Sequence, residues 1–495
     1  MNYRSTRNIN QDAVSAAQAI KQGLCNDGGL FMPESIPALT LDDVKALSTK
    51  SYAERAAYIL SLFLTDYTYE ELLADCSEAY SDKRFKGGAA PLATLNDNTS
   101  VLELWHGPTS AFKDMALQIM PRLLSRALTK TGEERTAFIL VATSGDTGKA
   151  ALEGYCDVDK VKITVFYPVD GVSRVQKLQM ATQKGGNVFV CAVKGNFDDA
   201  QNGVKKIFSD KTMAQKLDAN GYFLSSANSI NWGRLAPQIA YYVSAYCDLV
   251  AEGKIALGDK MNVCVPTGNF GNIFAAYIAK RMGLPVNKFV CASNKNNILT
   301  TFLNEGTYDR NRDFYTTMSP SMDILISSNL ERLLYLLGGS ERTAAYMKDL
   351  TEKGVYTVDA DIKAKLDAEF AGYYADEAEC AETIKTTFAD GYLCDTHTAV
   401  AVCAAKKYQE ESGDDTYMVV ASTASPYKFA ADVYKSIKDD ADFADDYEAL
   451  PCLNELSGVE IPEGLATLLS KEVRFEKVIE ADAMPEEVLS ELGIQ

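Results

Sequence analysis

The chain has 495 residues, of which 47% are hydrophobic and 24% are charged, so it is long enough to form about two to four domains with large buried cores. Its 49 basic and 68 acidic side chains give a net charge of −19, which argues against nucleic acid or an anionic membrane as the main partner. With only two histidines, His106 and His397, the chain cannot build a zinc site with three histidine ligands.

The N-terminus is polar and lacks the apolar segment of a secretory signal peptide, and no apolar run is long enough to predict a membrane span. The 11 cysteines are irregularly spaced and form no C-x-x-C motif, so neither a zinc ribbon nor a disulfide scaffold is indicated. Reduced cysteines are typical of the cytoplasm, and we therefore expect a cytoplasmic location.

Residues 1–85 are predicted to form a mainly helical N-terminal domain. Between residues 41 and 80, apolar side chains recur every three or four positions, which is the spacing of amphipathic helices. The turn-rich stretch at residues 82–98 contains glycines and a proline, and it marks the expected domain boundary.

Residues 86–430 show strands that alternate with helical patterns. The apolar segments that predict strands are residues 136–142, 161–169, 187–193, 261–266, 288–294 and 416–423. This alternation predicts an α/β core with parallel sheets flanked by helices. Residues 431–495 are acidic with apolar positions at helical spacing, and we expect them to pack against the core.

Two glycine-containing loops follow predicted strands, at residues 143–148 (TSGDTG) and 266–272 (PTGNFGN). Glycine lets the backbone approach a ligand closely, and the free N–H groups at a helix start favour an anion such as phosphate. A single loop of this kind is most simply interpreted as a tight turn that binds no ligand. Two such loops in one α/β core favour a binding site. A nucleotide-binding P-loop is excluded, because Thr143 and Ala150 stand where that motif needs glycine and Ser or Thr.

Two further segments carry candidate chemistry. In residues 104–114 (LWHGPTSAFKD), Lys113 follows an aromatic residue and precedes a helix, where partial burial would lower its pKa and make it a nucleophile or base. Residues 422–426 (STASP) place hydroxyls at a strand end, where they could meet a ring nitrogen or cap a helix. A lysine, two glycine loops and a hydroxyl together suggest pyridoxal phosphate as the cofactor.

Several long motifs, in the same order along the chain, resemble those of the threonine synthase family. The members of this family are fold type II pyridoxal phosphate enzymes similar to the tryptophan synthase β-subunit. They are residues 27–34 (DGGLFMPE), 106–118 (HGPTSAFKDMALQ), 225–242, 266–272, 317–334 and 394–402. The resemblance covers nearly the whole chain. It implies a two-lobed core with the cofactor between the lobes, together with the N-terminal domain of that family.

The resemblance also implies which residues hold the cofactor. Lys113 would form the Schiff base and later move protons, and Thr423 would hydrogen-bond the pyridine nitrogen. The cofactor phosphate would be bound by Gly268, Asn269, Phe270, Gly271 and Asn272.

The implied substrate residues lie in two other motifs. The amino-acid part of the substrate would lie near Ser144, Gly145, Asp146 and Thr147. Other substrate contacts would come from Asn228, Ser229, Asn231 and Arg234, with Arg234 and Lys295 as candidates for the substrate phosphate. Both histidines are expected near the cofactor end of the sheet, and we expect a basic pocket inside the acidic exterior.

The implied reaction converts O-phospho-L-homoserine and water into L-threonine and phosphate, without a metal, in a monomer or homodimer. A threonine or serine dehydratase is the alternative closest in chemistry, because it shares the lysine and glycine loops. A non-catalytic relative is the alternative from another class. The N-terminal domain and the segment at residues 228–234 favour the synthase, and the intact Lys113 argues against a non-catalytic protein.

Overall fold

The computed structural model describes residues 1–8, 10, 12–143, 145–169 and 172–494. Within these ranges, no helix is both long enough and apolar enough to cross a membrane. The 11 cysteines all lie in these ranges and all are free thiols.

The described part of the chain contains 16 strands of two to eight residues. They are β1 (Asn2–Ser5), β2 (Val14–Ser15), β3 (Phe31–Pro33), β4 (Leu92–Asn96), β5 (Thr99–Glu103), β6 (Thr136–Ala142), β7 (Val161–Pro168), β8 (Val188–Lys194), β9 (Tyr222–Ser225), β10 (Met261–Pro266), β11 (Val286–Ser293), β12 (Thr307–Asp309), β13 (Val355–Thr357), β14 (Phe370–Tyr374), β15 (Met418–Ser422) and β16 (Val478–Glu480).

Among the same described residues the helices outnumber the strands, and four short 3₁₀ turns lie between them. The helices are α1 (Ala16–Gln22), α2 (Leu41–Leu47), α3 (Tyr52–Phe63), α4 (Tyr69–Ala79), α5 (Lys113–Leu117), α6 (Met120–Lys130), α7 (Asp146–Tyr155), α8 (Arg174–Ala181), α9 (Phe197–Ser209), α10 (Lys211–Ala219), α11 (Trp232–Ala251), α12 (Gly271–Met282), α13 (Ile298–Glu305), α14 (Leu330–Gly338), α15 (Ser340–Glu352), α16 (Ala360–Glu369), α17 (Glu377–Ala389), α18 (Thr396–Ser412), α19 (Ala430–Ile437), α20 (Asp446–Ser457), α21 (Glu463–Ala466) and α22 (Met484–Leu492). The 3₁₀ turns are Pro320–Met322, Pro426–Phe429, Leu468–Ser470 and Ala481–Ala483.

Two sheets form the two lobes of the core. The larger sheet has the order β14-β11-β10-β15-β5-β4, and its pairs are parallel except for β4 with β5. The smaller sheet has the order β16-β8-β7-β6-β9 and is parallel throughout. Successive β15 residues alternate between two hydrophobic clusters, with Met418 and Val420 on one face and Val419 and Ala421 on the other. Burial of both faces explains why the strand reads as a continuous apolar run.

The N-terminal domain combines α1–α4 with a small antiparallel sheet of order β2-β1-β3. The helix starts of α2, α3 and α4 carry capping boxes, in which a Ser or Thr and an acidic residue three positions later bond each other's backbone N–H groups. The three-stranded sheet was not predicted, because strands of two to four residues leave little periodicity. The buried Arg55 joins this domain to α11 by donating to Ser244 Oγ at 2.8 Å and to Asp248 Oδ1 at 2.6 Å.

Helix α11 is nearly buried along its 20 residues and packs against α3, α5 and α12. A helix that is apolar on every side is expected at the centre of a large protein. Helix α11 begins at Trp232, directly after residues 228–231 of the segment that the resemblance implies for the substrate.

The structure differs from the sequence prediction at two further places. Strand β4 lies inside the stretch at residues 82–98 that was predicted to be a turn-rich boundary. The C-terminal segment was predicted to be helical, but it also supplies β16, which pairs in parallel with β8 at the edge of the smaller sheet. Met484 and Val488 of α22 then pack in the same hydrophobic cluster as Phe138 of β6. Three-residue strands carry too few side chains to show alternation.

Candidate active site

The loops after β5, β10 and β15 meet because these strands are neighbours or next neighbours in the larger sheet. The Phe112 N–H donates to the Thr423 carbonyl at 2.8 Å, and Ala111 forms an isolated antiparallel bridge with Ala424. These bonds hold the start of α5 against the end of β15. The loop at residues 104–114 (the lysine loop) and the loop at residues 422–426 (the hydroxyl loop) are therefore joined by backbone hydrogen bonds.

Lys113 is the first residue of α5, and its side chain is only 12% exposed. Its Nζ lies 3.3 Å from Ser321 Oγ and 3.8 Å from Asp146 Oδ2. Burial lowers the pKa of the Lys113 amine, and the nearby charges of Arg234 and Lys428 lower it further against the opposing effect of Asp146. A lysine with a lowered pKa supplies the neutral amine that a nucleophile or base requires.

Asp146, the first residue of α7, joins the loop at residues 143–148 to a second buried lysine. Its Oδ1 lies 2.7 Å from Lys428 Nζ, whose side chain is fully buried, and it also accepts a hydrogen bond from Gln176 at 3.1 Å. Burial by itself would raise the pKa of the Asp146 carboxyl, but Lys428 and Lys113 outweigh this effect and hold the pKa below its usual range. The carboxylate is therefore ionised between two amines.

Lys428 was missed by the sequence prediction. Its Nζ also donates to Gln179 Oε1 at 2.9 Å and to the Thr109 carbonyl at 3.4 Å, so it links the lysine loop to α8. A signal was present, because Lys428 lies between Tyr427 and Phe429 just as Lys113 follows Phe112. A lysine enclosed by aromatic residues after a core strand is a candidate for burial.

Residues 268–272 form a loop suited to an anion. Their backbone N–H groups donate no hydrogen bond to any residue in the described ranges, and α12 begins within the loop. Phe270 is buried and left-handed, with φ 60°, a conformation that costs energy for a residue other than glycine. Asn272 Oδ1 accepts from Tyr241 and Tyr242, whereas its buried Nδ2 has no partner among the described residues. Unsatisfied donors at a helix start are the features of a phosphate site.

The segment at residues 321–329 covers this loop. Ser327 Oγ donates to the Gly268 carbonyl at 2.7 Å, and the Asn329 N–H donates to the Asn269 carbonyl at 3.0 Å. A Cβ at Gly268 would lie 2.8 Å from the Ser321 carbonyl oxygen, so only glycine fits there without movement. The covering segment therefore fixes the anion loop from above.

Arg332 connects the covering segment to the N-terminal domain. Its fully buried guanidinium donates to the carbonyls of Phe31 at 3.1 Å and Ile230 at 2.6 Å, and to the Asn329 side chain. Burial lowers the pKa of Arg332 to about 10. One side chain thus ties β3, the loop before α11 and the covering segment together, which the sequence did not reveal.

The predicted substrate residues fall into different places. Arg234 is buried, donates to the Ala227 carbonyl at 2.8 Å and has no carboxylate partner among the described residues. Burial lowers its pKa to about 10.

The three neighbouring residues of this motif have different surroundings. Asn228 is exposed, and the backbone carbonyl of Ser229 accepts a hydrogen bond from Asn329 Nδ2 at 3.3 Å. The side chain of Asn231 caps α11 at Gly233 N and donates to the Ile20 carbonyl at 2.9 Å, so its amide is used within the protein.

The remaining predicted residues are placed as follows. Gly145 and Thr147 flank Asp146 at the start of α7, whereas Ser144 lies outside the described residues. Thr423 is buried beside the lysine loop, as its carbonyl bond to Phe112 shows. Lys295 is exposed, with its Nζ 4.2 Å from the centre of the Tyr315 ring, and no described contact joins it to Lys113.

The two histidines differ in their surroundings. His397 is buried at the start of α18, and its Nε2 accepts from the backbone N–H of Ser321 at 3.1 Å. His106 instead lies 2.7 Å from Glu103 Oε2 and stacks on Trp105, with ring centres 4.3 Å apart. Of the two, only His397 touches a residue that contacts Lys113.

Asp114, which follows Lys113, supports a pH-dependent prediction. It is buried, accepts from Thr109 N at 2.8 Å and Thr109 Oγ1 at 2.9 Å, and burial raises its pKa to about 7. A carboxyl group whose pKa is raised in the folded protein contributes its full stabilisation at pH values below the usual aspartate pKa near 4. This contribution is lost as the pH rises towards 7. From pH 5 to pH 7, we expect the free energy of unfolding of the wild type to fall relative to that of Asp114→Asn by about 1–3 kcal/mol.

Urea unfolding of both proteins at the two pH values measures this difference. Asp97→Asn, at an exposed position, is the matched control and should track the wild type. A wild-type advantage that stays constant between pH 5 and pH 7 would contradict the assignment of a raised pKa to Asp114.

Comparison with known families gives matches along nearly the whole chain. A family model described as "Threonine synthase N terminus" matches residues 2–80, one described as "Pyridoxal-phosphate dependent enzyme" matches residues 92–423, and one described as "Threonine synthase, C-terminal" matches residues 398–488.

Curated relatives give the same result at the level of whole sequences. The human "Threonine synthase-like 1" is 39% identical over 436 residues, which are 85% of this chain and 58% of that protein. The chain therefore spans a little under three fifths of that relative. The threonine synthases of Pseudomonas aeruginosa (38% identical; 88% of this chain and 90% of that one) and Saccharomyces cerevisiae (35%; 91% of each) match over most of their own length.

Solved structures confirm the predicted fold class. The structure titled as PLP-bound threonine synthase from Brucella melitensis superposes with a TM-score of 0.87 at 36% identity, and yeast threonine synthase with 0.89 at 33%. Each superposition covers 99% of both chains. The two sheets with their helices are thus the lobes of the predicted α/β core, and residues before them form the additional N-terminal domain.

Proposed function

Because the chain belongs to the threonine synthase family, we propose that it converts O-phospho-L-homoserine and water into L-threonine and phosphate. The observation that carries this proposal is the arrangement around Lys113. A buried amine with a lowered pKa lies beside a fixed carboxylate, a loop of free N–H groups and a buried arginine without a carboxylate partner. This arrangement provides a proton acceptor and donors for two phosphate groups.

The prediction of pyridoxal phosphate as cofactor is confirmed by the family match at residues 92–423. The side chains present fit this group, since the free N–H groups of residues 268–272 and the unpartnered Asn272 Nδ2 suit a phosphate. Lys113 would attach the cofactor and Thr423 would meet its ring nitrogen. When bound, the cofactor provides an electron sink for the negative charge left on substrate carbons.

Lys113 would then act as the base and acid of the reaction. When its Nζ is free, it would accept protons from the substrate carbons and later return them, which requires a neutral amine. Its burial lowers the pKa and so favours the neutral form. Asp146 and Lys428 hold the surrounding charge in place, because their ion pair is buried on both sides.

Arg234 is our candidate for holding the substrate phosphate. Even with Lys113 neutral, Lys428 and Arg234 together carry more positive charge than the carboxylate of Asp146 offsets, although the whole chain has a net charge of −19. Binding would therefore depend on this local excess rather than on long-range attraction.

The other candidates for the rest of the substrate stay Gly145, Thr147, Asn228 and Ser229. We now propose a structural role for Asn231, as the cap of α11. Lys295 stays a prediction without a described contact in its favour.

Incubation with O-phospho-L-homoserine tests the proposed function. We expect phosphate and threonine in equal amounts, measured by a colorimetric phosphate assay and by amino-acid chromatography. If 2-oxobutanoate were the main product, a dehydratase activity would replace the proposed one.

We further propose that the protein works in the cytoplasm on a small-molecule substrate, as a monomer or homodimer, and that neither nucleic acid nor a membrane is its partner.

Gly268→Ala tests the anion loop. The new Cβ would lie 2.8 Å from the Ser321 carbonyl oxygen, so either the loop or its cover must move. Because overpacking of this kind costs about 1–3 kcal/mol, we expect the affinity for pyridoxal phosphate to fall by about 5- to 150-fold. Absorbance titration of the cofactor-free protein measures the affinity. The control is Gly186→Ala, whose Cβ would meet only Asp157 Oδ1 at 3.8 Å. Equal affinities for the two variants would contradict the placement of the phosphate in this loop.

A further inference from the structure

A chain of hydrogen bonds leads from Lys113 to a buried carboxylate that the proposed mechanism does not use. Lys113 Nζ donates to Ser321 Oγ at 3.3 Å, and the Ser321 backbone N–H donates to His397 Nε2 at 3.1 Å. His397 Nδ1 then lies 2.8 Å from Asp395 Oδ2. Three segments that are distant in sequence therefore meet at the reactive amine.

The geometry sets the tautomer of His397. Its Nε2 must be the acceptor, because the backbone N–H of Ser321 can only donate, and the ring proton is then on Nδ1, where it faces Asp395. Asp395 is fully buried and also caps α18 by accepting from the backbone N–H groups of His397 at 2.9 Å and Thr398 at 3.1 Å. The acceptor that faces Ser321 is thereby fixed to the start of a 17-residue helix.

Ser321 occupies the middle of the 3₁₀ turn Pro320–Met322, which covers the anion loop. Its carbonyl oxygen would be 2.8 Å from a Cβ at Gly268, while its hydroxyl meets the Lys113 amine and its N–H meets His397. One residue thus touches the anion loop, the lysine and the buried histidine. Since Lys113 has a flexible stem, an acceptor of fixed position restricts where its Nζ can lie.

We propose that Ser321 is a positioning residue for the Lys113 amine, and that His397 and Asp395 fix the turn that carries it. The inference rests on the proposed function, in which the amine must reach substrate carbons after it is released from the cofactor. The Ser321 hydroxyl would hold the free amine next to the turn that contacts the anion loop at Gly268. The energetic advantage is orientation, since a small displacement of a reacting group is costly for the rate.

Ser321→Ala tests this role in the holoenzyme, because it removes the hydroxyl and leaves the backbone bond to His397 in place. We expect kcat to fall at least about tenfold, with KM and the unfolding midpoint close to the wild-type values. Ser321→Thr retains a hydroxyl and should recover most of kcat. Ser209→Ala, on the exposed end of α9, is the matched control and should keep the wild-type kcat. A wild-type kcat in Ser321→Ala would overturn the proposal.

A second readout does not depend on catalysis. In the full-length protein freed of cofactor, acetylation of Lys113 by acetic anhydride is followed by mass spectrometry, with the exposed Lys295 as internal reference. Loss of the Ser321 hydroxyl frees the Lys113 amine and removes an acceptor that favours the charged form of that amine. Acetic anhydride should therefore acetylate Lys113 about 3–10-fold faster in Ser321→Ala than in the wild type. An unchanged rate would overturn the proposal even if the enzyme acted on a different substrate.

A double-mutant cycle tests the contribution of His397. If the histidine acts through the turn, His397→Gln should lower kcat in the wild-type background and have a clearly smaller effect in the Ser321→Ala background. Full additivity of the two losses would contradict the coupling and leave His397 without the assigned role. Unfolding midpoints of all four proteins separate this result from a general loss of structure.

Discussion

Replacement of Lys113 by alanine is expected to reduce threonine formation by more than about 1,000-fold, the largest loss of activity that the structure predicts. General acid–base catalysis alone contributes about 10²–10⁴-fold, and here the same amine would also attach the cofactor. No nearby group replaces it, because Lys428 is held by Asp146 at 2.7 Å and by Gln179 at 2.9 Å. The steady-state release of phosphate and threonine from O-phospho-L-homoserine measures the loss.

The absorbance of the bound cofactor supplies an independent measurement. Wild-type protein should be yellow, and treatment with borohydride should attach the cofactor to the peptide that contains Lys113. Lys113→Ala should lose this attachment. The matched control is Lys406→Ala on the exposed face of α18, where the side chain is 75% exposed, and it should keep both activity and colour. A colourless Lys113→Ala protein with full activity would refute the assignment of the lysine.

The fold and the main loops could be predicted because their signals are local. Strands such as β7 and β10 are buried on both faces and therefore read as apolar runs, and the glycine loops follow them directly. Lys113 could be selected as the candidate for the Schiff base from the motif that surrounds it. In contrast, β2 and β16 have two and three residues, which is too short for alternation to appear in the sequence.

The supporting residues of the site could not be predicted, because they are defined by contacts between distant segments. Arg332 meets the Phe31 carbonyl about 300 positions away, and Ser321 lies 208 positions from Lys113. Asn231 shows why a motif alone does not assign a role to each of its residues. It lies inside a motif that the resemblance implied for the substrate, yet its side chain caps α11 and binds the N-terminal domain. A motif identifies a region, whereas the structure decides which of its side chains face the ligand.

Asp146→Asn is expected to cause the largest loss of stability. Its carboxylate lies between two buried amines, and its partner Lys428 has a fully buried side chain. Removing one partner of a buried ion pair leaves the other charge without compensation, which typically costs about 3–5 kcal/mol. We expect a fall of this size in the free energy of unfolding at pH 7.5, measured by urea titration with circular dichroism. Activity should fall as well, because Asp146 lies 3.8 Å from the Lys113 amine.

The same pair predicts a particular pattern among variants. Lys428→Met should also be strongly destabilising, whereas the double variant Asp146→Asn/Lys428→Met should be more stable than either single one, because it removes both charges of the buried pair. The exposed pair of Lys194 and Glu480 is the matched control, with side chains 61% and 68% exposed, and Glu480→Gln should change stability by no more than about 0.5 kcal/mol. Additive losses in the double variant would contradict the coupling.

The pH dependence of the Asp146→Asn effect distinguishes the ion pair from simple packing. Since Lys428 and Lys113 hold the pKa of Asp146 below its usual range, the carboxylate stabilises the fold at every pH above its usual value near 4. That contribution is lost only as the pH falls through the lowered pKa of the folded protein. The difference in stability between wild type and Asp146→Asn should therefore be constant from pH 6 to pH 8 and shrink on strong acidification. A difference that persists unchanged in acid would show that the carboxylate acts through its shape and not through its charge.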